Sequence, residues 1–187
     1  MLKKLSFACL MFSASAASVA SDAGYYVGMD AFFGSQKQTL DASGSETSES
    51  ASAGGGSINI GYRYADNDRF EVEFTKVESE IDSDDTKMEG IDFDWSFVVL
   101  PQSSFYPYLE AGFGLYEYKQ TKELSNDNEN LGGIAVNFGF GAIYELEESI
   151  ELDASYRFKG IGWEETKDDQ KIKNDIGKLV VGARILF

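Results

Sequence analysis

The chain has 187 residues, 43% of them apolar and 14% aromatic, which suits one domain able to enclose a core or a lumen. Its net charge of −16 argues against nucleic acid as a partner, because phosphate binding needs a basic surface. It contains no histidine, so nucleophile and base schemes built on serine with histidine are closed to it.

Residues Met1 to Ala20 read as a signal peptide: Lys3 and Lys4, an apolar run from Leu5 to Phe12, and small residues ending at Ser18-Val19-Ala20. The expected organisation is residues 1–20 as signal peptide and 21–187 as a single barrel domain. The only cysteine, Cys9, lies inside that leader, so the mature chain would carry no disulfide or thiol ligand. No stretch approaches the roughly 20 continuous apolar residues of a membrane-spanning helix.

From Gly24 onward the dominant pattern is period-two alternation in eight runs. The first, Gly24 to Gly34, sets Tyr25, Val27, Met29, Ala31 and Phe33 against Tyr26, Gly28, Asp30, Phe32 and Gly34. The second, Ser57 to Tyr64, sets Ile58, Ile60, Tyr62 and Tyr64 against Asn59, Gly61 and Arg63. In the third, Arg69 to Thr75, Phe70, Val72 and Phe74 oppose Glu71 and Glu73. In the fourth, Ile91, Phe93, Trp95, Phe97 and Val99 oppose Asp92, Asp94 and Ser96. The fifth opposes Leu109, Ala111, Phe113 and Leu115 to Glu110, Gly112 and Gly114, and the sixth opposes Ile134, Val136, Phe138 and Phe140 to Asn137, Gly139 and Gly141. The seventh sets Ile150, Leu152, Ala154, Tyr156 and Phe158 against Glu151, Asp153, Ser155, Arg157 and Lys159. The eighth sets Leu179, Val181, Ala183, Ile185 and Phe187 against Lys178, Val180, Gly182, Arg184 and Leu186.

Connections alternate between long stretches (Ser35 to Gly56, Lys76 to Gly90, Glu117 to Gly132, Gly160 to Asp175) and short ones (Ala65 to Asp68, Leu100 to Pro107, Glu145 to Glu148). In an up-and-down barrel alternate connections emerge on the same side. The expectation is an all-β, eight-stranded antiparallel up-and-down transmembrane barrel with four long extracellular loops and three short periplasmic turns.

Alternation leaves open whether the apolar face points inward, as in lipocalins, or outward to lipid. The polar face favours lipid outside. It carries Asp30, Arg63, Glu71, Glu73, Asp92, Asp94, Glu110, Glu151, Asp153, Arg157, Lys159, Lys178 and Arg184, which can pair across a narrow lumen, together with glycines that suit a crowded interior. Tyr25, Tyr62, Tyr64, Tyr156, Phe158 and Phe187 near the run ends fit aromatic girdles.

These residues resemble the small outer-membrane β-barrel superfamily: OmpA-like transmembrane domains, OmpX and Ail-type proteins, and opacity-type adhesins. The resemblance rests on the eight-run rhythm, on Tyr106-Pro107-Tyr108-Leu109-Glu110-Ala111-Gly112-Phe113-Gly114, and on the final run ending in Phe187. It implies a bacterial outer-membrane location and an assembly signal in Leu179, Val181, Ala183, Ile185 and Phe187, read by the barrel assembly machinery. It also leads to the expectation that the peptidoglycan-binding domain of full OmpA is absent.

No catalytic residues, cofactor or dedicated metal site are expected. Glu71 with Glu73, and Asp92 with Asp94, share one face at two-residue spacing, which is the pattern of a lumen salt-bridge network rather than a catalytic pair. The acids Glu78, Glu80, Asp82, Asp84, Asp85, Glu164, Glu165, Asp168 and Asp169 lack the spacing and glycine of an EF-hand loop. A looser role is divalent bridging to lipopolysaccharide phosphates. The serine- and glycine-rich stretch around Ser43-Gly44-Ser45 and Gly54-Gly55-Gly56 reads as a mobile loop.

The expected function is therefore non-enzymatic: outer-membrane structure or surface interaction, such as adhesion or envelope integrity, through acidic loops. Lipid, lipopolysaccharide, the assembly machinery and a host or cell-surface ligand are the expected partners. The alternatives are a lipocalin-like barrel for a small apolar ligand and a narrow ion or water channel.

Overall fold

The computed structural model describes residues 23–42, 45–81, 84–99, 104–119 and 130–187. The expected signal peptide lies outside them.

Eight strands follow one another in chain order: β1 (Gly24–Ala42), β2 (Ser45–Arg63), β3 (Arg69–Ile81), β4 (Asp84–Val98), β5 (Phe105–Tyr118), β6 (Leu131–Glu147), β7 (Ile150–Trp163) and β8 (Lys171–Leu186). Each pairs antiparallel with the next, and β8 closes on β1, so the sheet is a closed barrel.

Period-two alternation decides which side chains enter the lumen. Phe33, Ile58, Phe74, Phe113, Ile134, Phe138 and Phe158 stand exposed on the outer wall, while Asp30, Glu73, Asp92, Glu110, Glu151 and Arg157 are buried inside. A chain of outward rings runs round the turn end of the wall. Tyr25 meets Tyr62 and Tyr62 meets Tyr64 at 5.0 Å between centroids, and Trp95 lies 5.6 Å from Tyr64 and 5.8 Å from Phe70. Amphipathic rings of this kind settle at a membrane–water boundary.

The connections differ from the sequence expectation at the loop end. Most of the stretches 35–56 and 76–90 are not loops but continuations of the strands. β1 runs to Ala42 and β2 begins at Ser45, with Ser35 opposite Ser52 and Asp41 opposite Glu46; β3 likewise runs to Ile81 and β4 starts at Asp84. The fourth connection shortens to residues between Trp163 and Lys171, and most of the third lies outside the described residues.

The physical reason is a reversal of polarity along each strand. Beyond Phe33 the outward side chains of β1 become Ser35, Lys37, Thr39 and Asp41, so the lipid-facing signal ends while the backbone pairing continues. Gly55, read from sequence as part of a mobile loop, is an interior position of β2 whose missing side chain leaves room for the Phe32 ring.

Above the apolar band the lumen turns hydrophobic. Phe32, Val77, Met88, Tyr118, Leu131, Ala135, Ile161, Trp163, Ile172 and Ile176 pack as one buried cluster inside the loop end. A smaller cluster of Tyr106, Tyr108 and Ile143, backed by Val98, closes the turn end. The barrel thus has a lipid-facing lower storey with a polar interior and an upper storey built like a soluble protein.

At the turn end the β2–β3 connection is tight. Asn67 takes a left-handed backbone (φ 69°), a conformation asparagine tolerates. The Asp68 carboxylate accepts the Val98 amide at 2.9 Å, tying this turn to β4.

Candidate functional site: a cross-braced lumen

Between the two apolar clusters lie the inward charges of β1 to β8. Most of the ion pairs join strands that are not neighbours in the wall. Arg69 of β3 grips Glu151 of β7 with two prongs, at 2.5 and 2.9 Å, and Arg63 of β2 adds a third contact to Glu151 at 3.1 Å. Arg157 of β7 reaches Glu73 of β3 at 2.7 Å and Glu110 of β5 at 3.3 Å, with Asp153 at 3.8 Å. Arg184 of β8 lies 3.3 Å from Glu71 and 3.4 Å from Asp153.

Higher in the lumen Lys159 donates to Asp92 at 2.5 Å and also contacts the Tyr116 hydroxyl. Tyr116 donates to the same carboxylate at 2.5 Å, and Asn137 bridges Asp92 and Asp94 at 2.9 Å each. Lys178 sits with its ammonium 4.2 Å from the centre of the Phe32 ring, at the junction with the upper apolar cluster.

Asp30, Glu71, Glu73, Asp92, Asp94, Glu110, Glu151, Asp153, Arg157, Lys159, Lys178 and Arg184 are buried, with Arg63 beside them at Glu151. Arg63, Glu71, Glu73, Asp92, Glu110, Glu151, Asp153, Arg157, Lys159 and Arg184 join in ion pairs, Asp94 is held through Asn137, and Asp30 accepts from Asn59 at 3.0 Å. Sequence reasoning missed Arg69, the tyrosines Tyr26, Tyr108 and Tyr116, and the bridging amides. For Arg69 and the tyrosines the signal was present, since each lies an even number of residues from a charged lumen position on its own strand. Tyr26 donates to Glu71 at 3.0 Å and Tyr108 to Asp153 at 2.8 Å.

Oxygens of Asp30, Glu71 and Glu73 approach one another within 4.8 Å, close enough for a cation. Glu71 and Glu73 are already engaged by Arg184 and Arg157, so these acids form part of the ion-pair network. The paired acids at 71/73 and 92/94 likewise face arginine, lysine and amide donors rather than an open cleft. The cavity among Glu73, Asp94, Glu110, Asn137, Arg157 and Lys178 measures about 10 Å³, roughly the space of one water.

The outward residues of the last strand, Leu179, Val181, Ile185 and Phe187, are exposed on the outer wall with Ala183 among them. The Phe187 amide donates to the Tyr25 carbonyl at 3.0 Å, which stitches the chain end to β1.

A closed eight-stranded barrel, apolar outside and charged inside, is the architecture of a membrane barrel, and the family model of the outer membrane protein beta-barrel domain matches residues 5–184. The chain belongs to that family. As a member it is a protein of the bacterial outer membrane, with the apolar lower wall facing lipid. Among solved structures the family fold is shared with Neisserial surface protein A at 24% identity and a TM-score of 0.59, covering 88% of this chain and 99% of that one. It is shared also with OprG from Pseudomonas aeruginosa at 15% identity and a TM-score of 0.51, covering 88% and 96%. No curated protein sequence matches the chain.

Proposed function

We propose that this barrel is a non-enzymatic surface protein whose lower storey anchors it in lipid and whose upper storey, facing out of the cell, makes the functional contacts. The observation that carries this reading is the division of labour along the strands. Among the described residues the lumen is filled at three levels, by the Tyr106 cluster, the ion-pair network and the Phe32–Trp163 cluster, and the cavity within the network is about 10 Å³, which argues against a small-molecule ligand or a diffusion path through it. Meanwhile β1 continues from Gly34 to Ala42, roughly 30 Å of strand at about 3.3 Å per residue, beyond its last lipid-facing phenylalanine.

The outer wall of that storey carries Glu46, Glu78 and Glu89, and the connection after β7 adds Glu164 and Glu165, among a few lysines. Exposed carboxylates just above the apolar band are placed to share divalent cations with lipopolysaccharide phosphates. The leader at residues 1–20 would deliver the chain for export, and the strand ending in Phe187 would present it to the assembly machinery.

The experiment is to shorten the β1–β2 hairpin by closing the directly paired Gln36 and Ala51 with an Asn-Gly turn, which suits a two-residue hairpin. The shortened protein should keep its heat-modifiable mobility in the outer-membrane fraction and lose adherence of expressing cells to surfaces. Retained adherence, or steady ion conductance by the intact barrel in a planar bilayer, would overturn the reading.

A further inference from the structure

The barrel wall is closed, but the first hairpin outgrows its neighbour. β1 is flanked on both sides up to Asp41, by Glu46 of β2 and Lys171 of β8. β2 is not. Its pairing with β3 ends at Ala53 opposite Ser79, so on that side the backbone of Ser45 to Ser52 has no strand partner among the described residues. All of these positions except Ala51 are exposed. The strand is held straight from its other side, by the full β1 register and by the Thr39–Ser48 hydroxyl contact at 3.2 Å.

Edges of this kind are normally blunted by charged side chains, above all lysine, by proline or by a bulge. The segment Ser45-Glu46-Thr47-Ser48-Glu49-Ser50-Ala51-Ser52 has no proline and no lysine, its register with β1 is unbroken, and its only charges are Glu46 and Glu49, which guard it against an acidic strand but not a basic one. Its ordered, unpaired amides and carbonyls are a template for one more antiparallel strand.

The charges select the occupant. Across the sheet Lys171, Asp41 and Glu46 stand in one row, and Asn174, Gln38 and Glu49 in another. Among the described residues no strand takes the next place in each row, which adjoins a carboxylate. Opposite charges directly across a strand pair stabilise it and like charges weaken it. Pairing with a second copy would gather four carboxylates along one seam with no base between them. We infer that the β2 edge from Ser45 to Ser52 is a docking edge for an extended basic segment of a partner protein, added antiparallel, with two basic residues three positions apart facing Glu46 and Glu49. Being three apart, the two bases would lie on opposite faces of the added strand, as Glu46 and Glu49 do on β2.

This inference rests on the surface-interaction reading and names its partner chemistry. The test uses the full barrel in detergent micelles and two synthetic threonine- and valine-rich octapeptides, one with lysines three positions apart and one with glutamates there. The lysine peptide should bind and slow hydrogen exchange at alternate amides between Ser45 and Ser52. The doubly reversed variant E46K/E49K, whose folding is checked by heat modifiability, should exchange the preference, each peptide's affinity shifting on the order of tenfold.

Absence of lysine-peptide binding overturns the proposal, as does binding indifferent to the reversal or protection at other strands. Protection of the same amides in a peptide-free dimer assigns the edge to a second copy and also overturns it. If E46K/E49K cells adhere normally while the shortened hairpin does not, the edge inference fails and the surface role stands. If the shortened hairpin adheres normally, the surface role itself fails.

Discussion

Arg69 and Glu151 stand on opposite walls of the barrel, on β3 and β7, and meet in a two-pronged ion pair at 2.5 and 2.9 Å with both side chains fully buried. Pairs of this kind hold the wall open to a fixed width, because the desolvation of each charge is offset only while the partner remains in place. Arg69→Met alone strands the Glu151 carboxylate beside Arg63, and Glu151→Gln alone strands two guanidinium groups. Each single change should lower barrel stability by about 3–5 kcal/mol, while the double change Arg69→Met with Glu151→Leu should cost much less. Urea unfolding in micelles, followed by tryptophan fluorescence, measures all three.

Packing in the lumen sets a second expectation. A methyl group at Gly112 would collide with the Asp94 carboxylate and the Phe93 carbonyl oxygen, whereas one at Gly162 meets nothing within 4 Å. Gly112→Ala should destabilise by about 1–3 kcal/mol, as overpacking does, and Gly162→Ala should stay within about half a kcal/mol of the parent. The midpoint of the thermal mobility shift on gels distinguishes them. Equal midpoints would show that the lumen yields more readily than its packing implies.

The upper apolar cluster behaves as a protein core and should respond like one. Met88 is fully buried in it. Met88→Ala should cost about 2–5 kcal/mol. It should open no conductance in planar bilayers, because the ion-pair level beneath is untouched. Channel activity appearing in this variant would show that the cluster alone closes the barrel.

Phe187 separates assembly from stability. Its ring is 59% exposed on the outer wall, and its tie to β1 runs through the backbone amide, which a smaller side chain retains. Phe187→Ala should therefore refold in detergent with nearly the parent midpoint, yet accumulate unfolded in the periplasm during expression. Normal outer-membrane levels would remove Phe187 from the proposed assembly signal.

Much of this architecture is legible in the linear pattern. Runs such as Ile150 to Lys159 assign every side chain to a face, since a strand has only two, and the acids and bases grouped on one face belong inside once the other face is continuous hydrocarbon. Arg69 escaped notice because it begins its run, although it lies two residues from Glu71 on the same face. Which acid meets which base was not legible: Arg157 could have paired with any of several carboxylates. The choice of Glu73 and Glu110 depends on how β3, β5 and β7 face one another after closure.

The sequence by itself determined the number of strands, their order and the two faces of each, because backbone geometry and the contrast between lipid and lumen act residue by residue. Only the tertiary structure decided where the strands end. Past Phe33 and Phe74 the outward residues turn polar in water, so the alternation that marks a lipid-facing strand disappears from the sequence. The strands continue there because Val77, Met88, Ile161 and Trp163, drawn from distant parts of the chain, find one another inside the closed barrel.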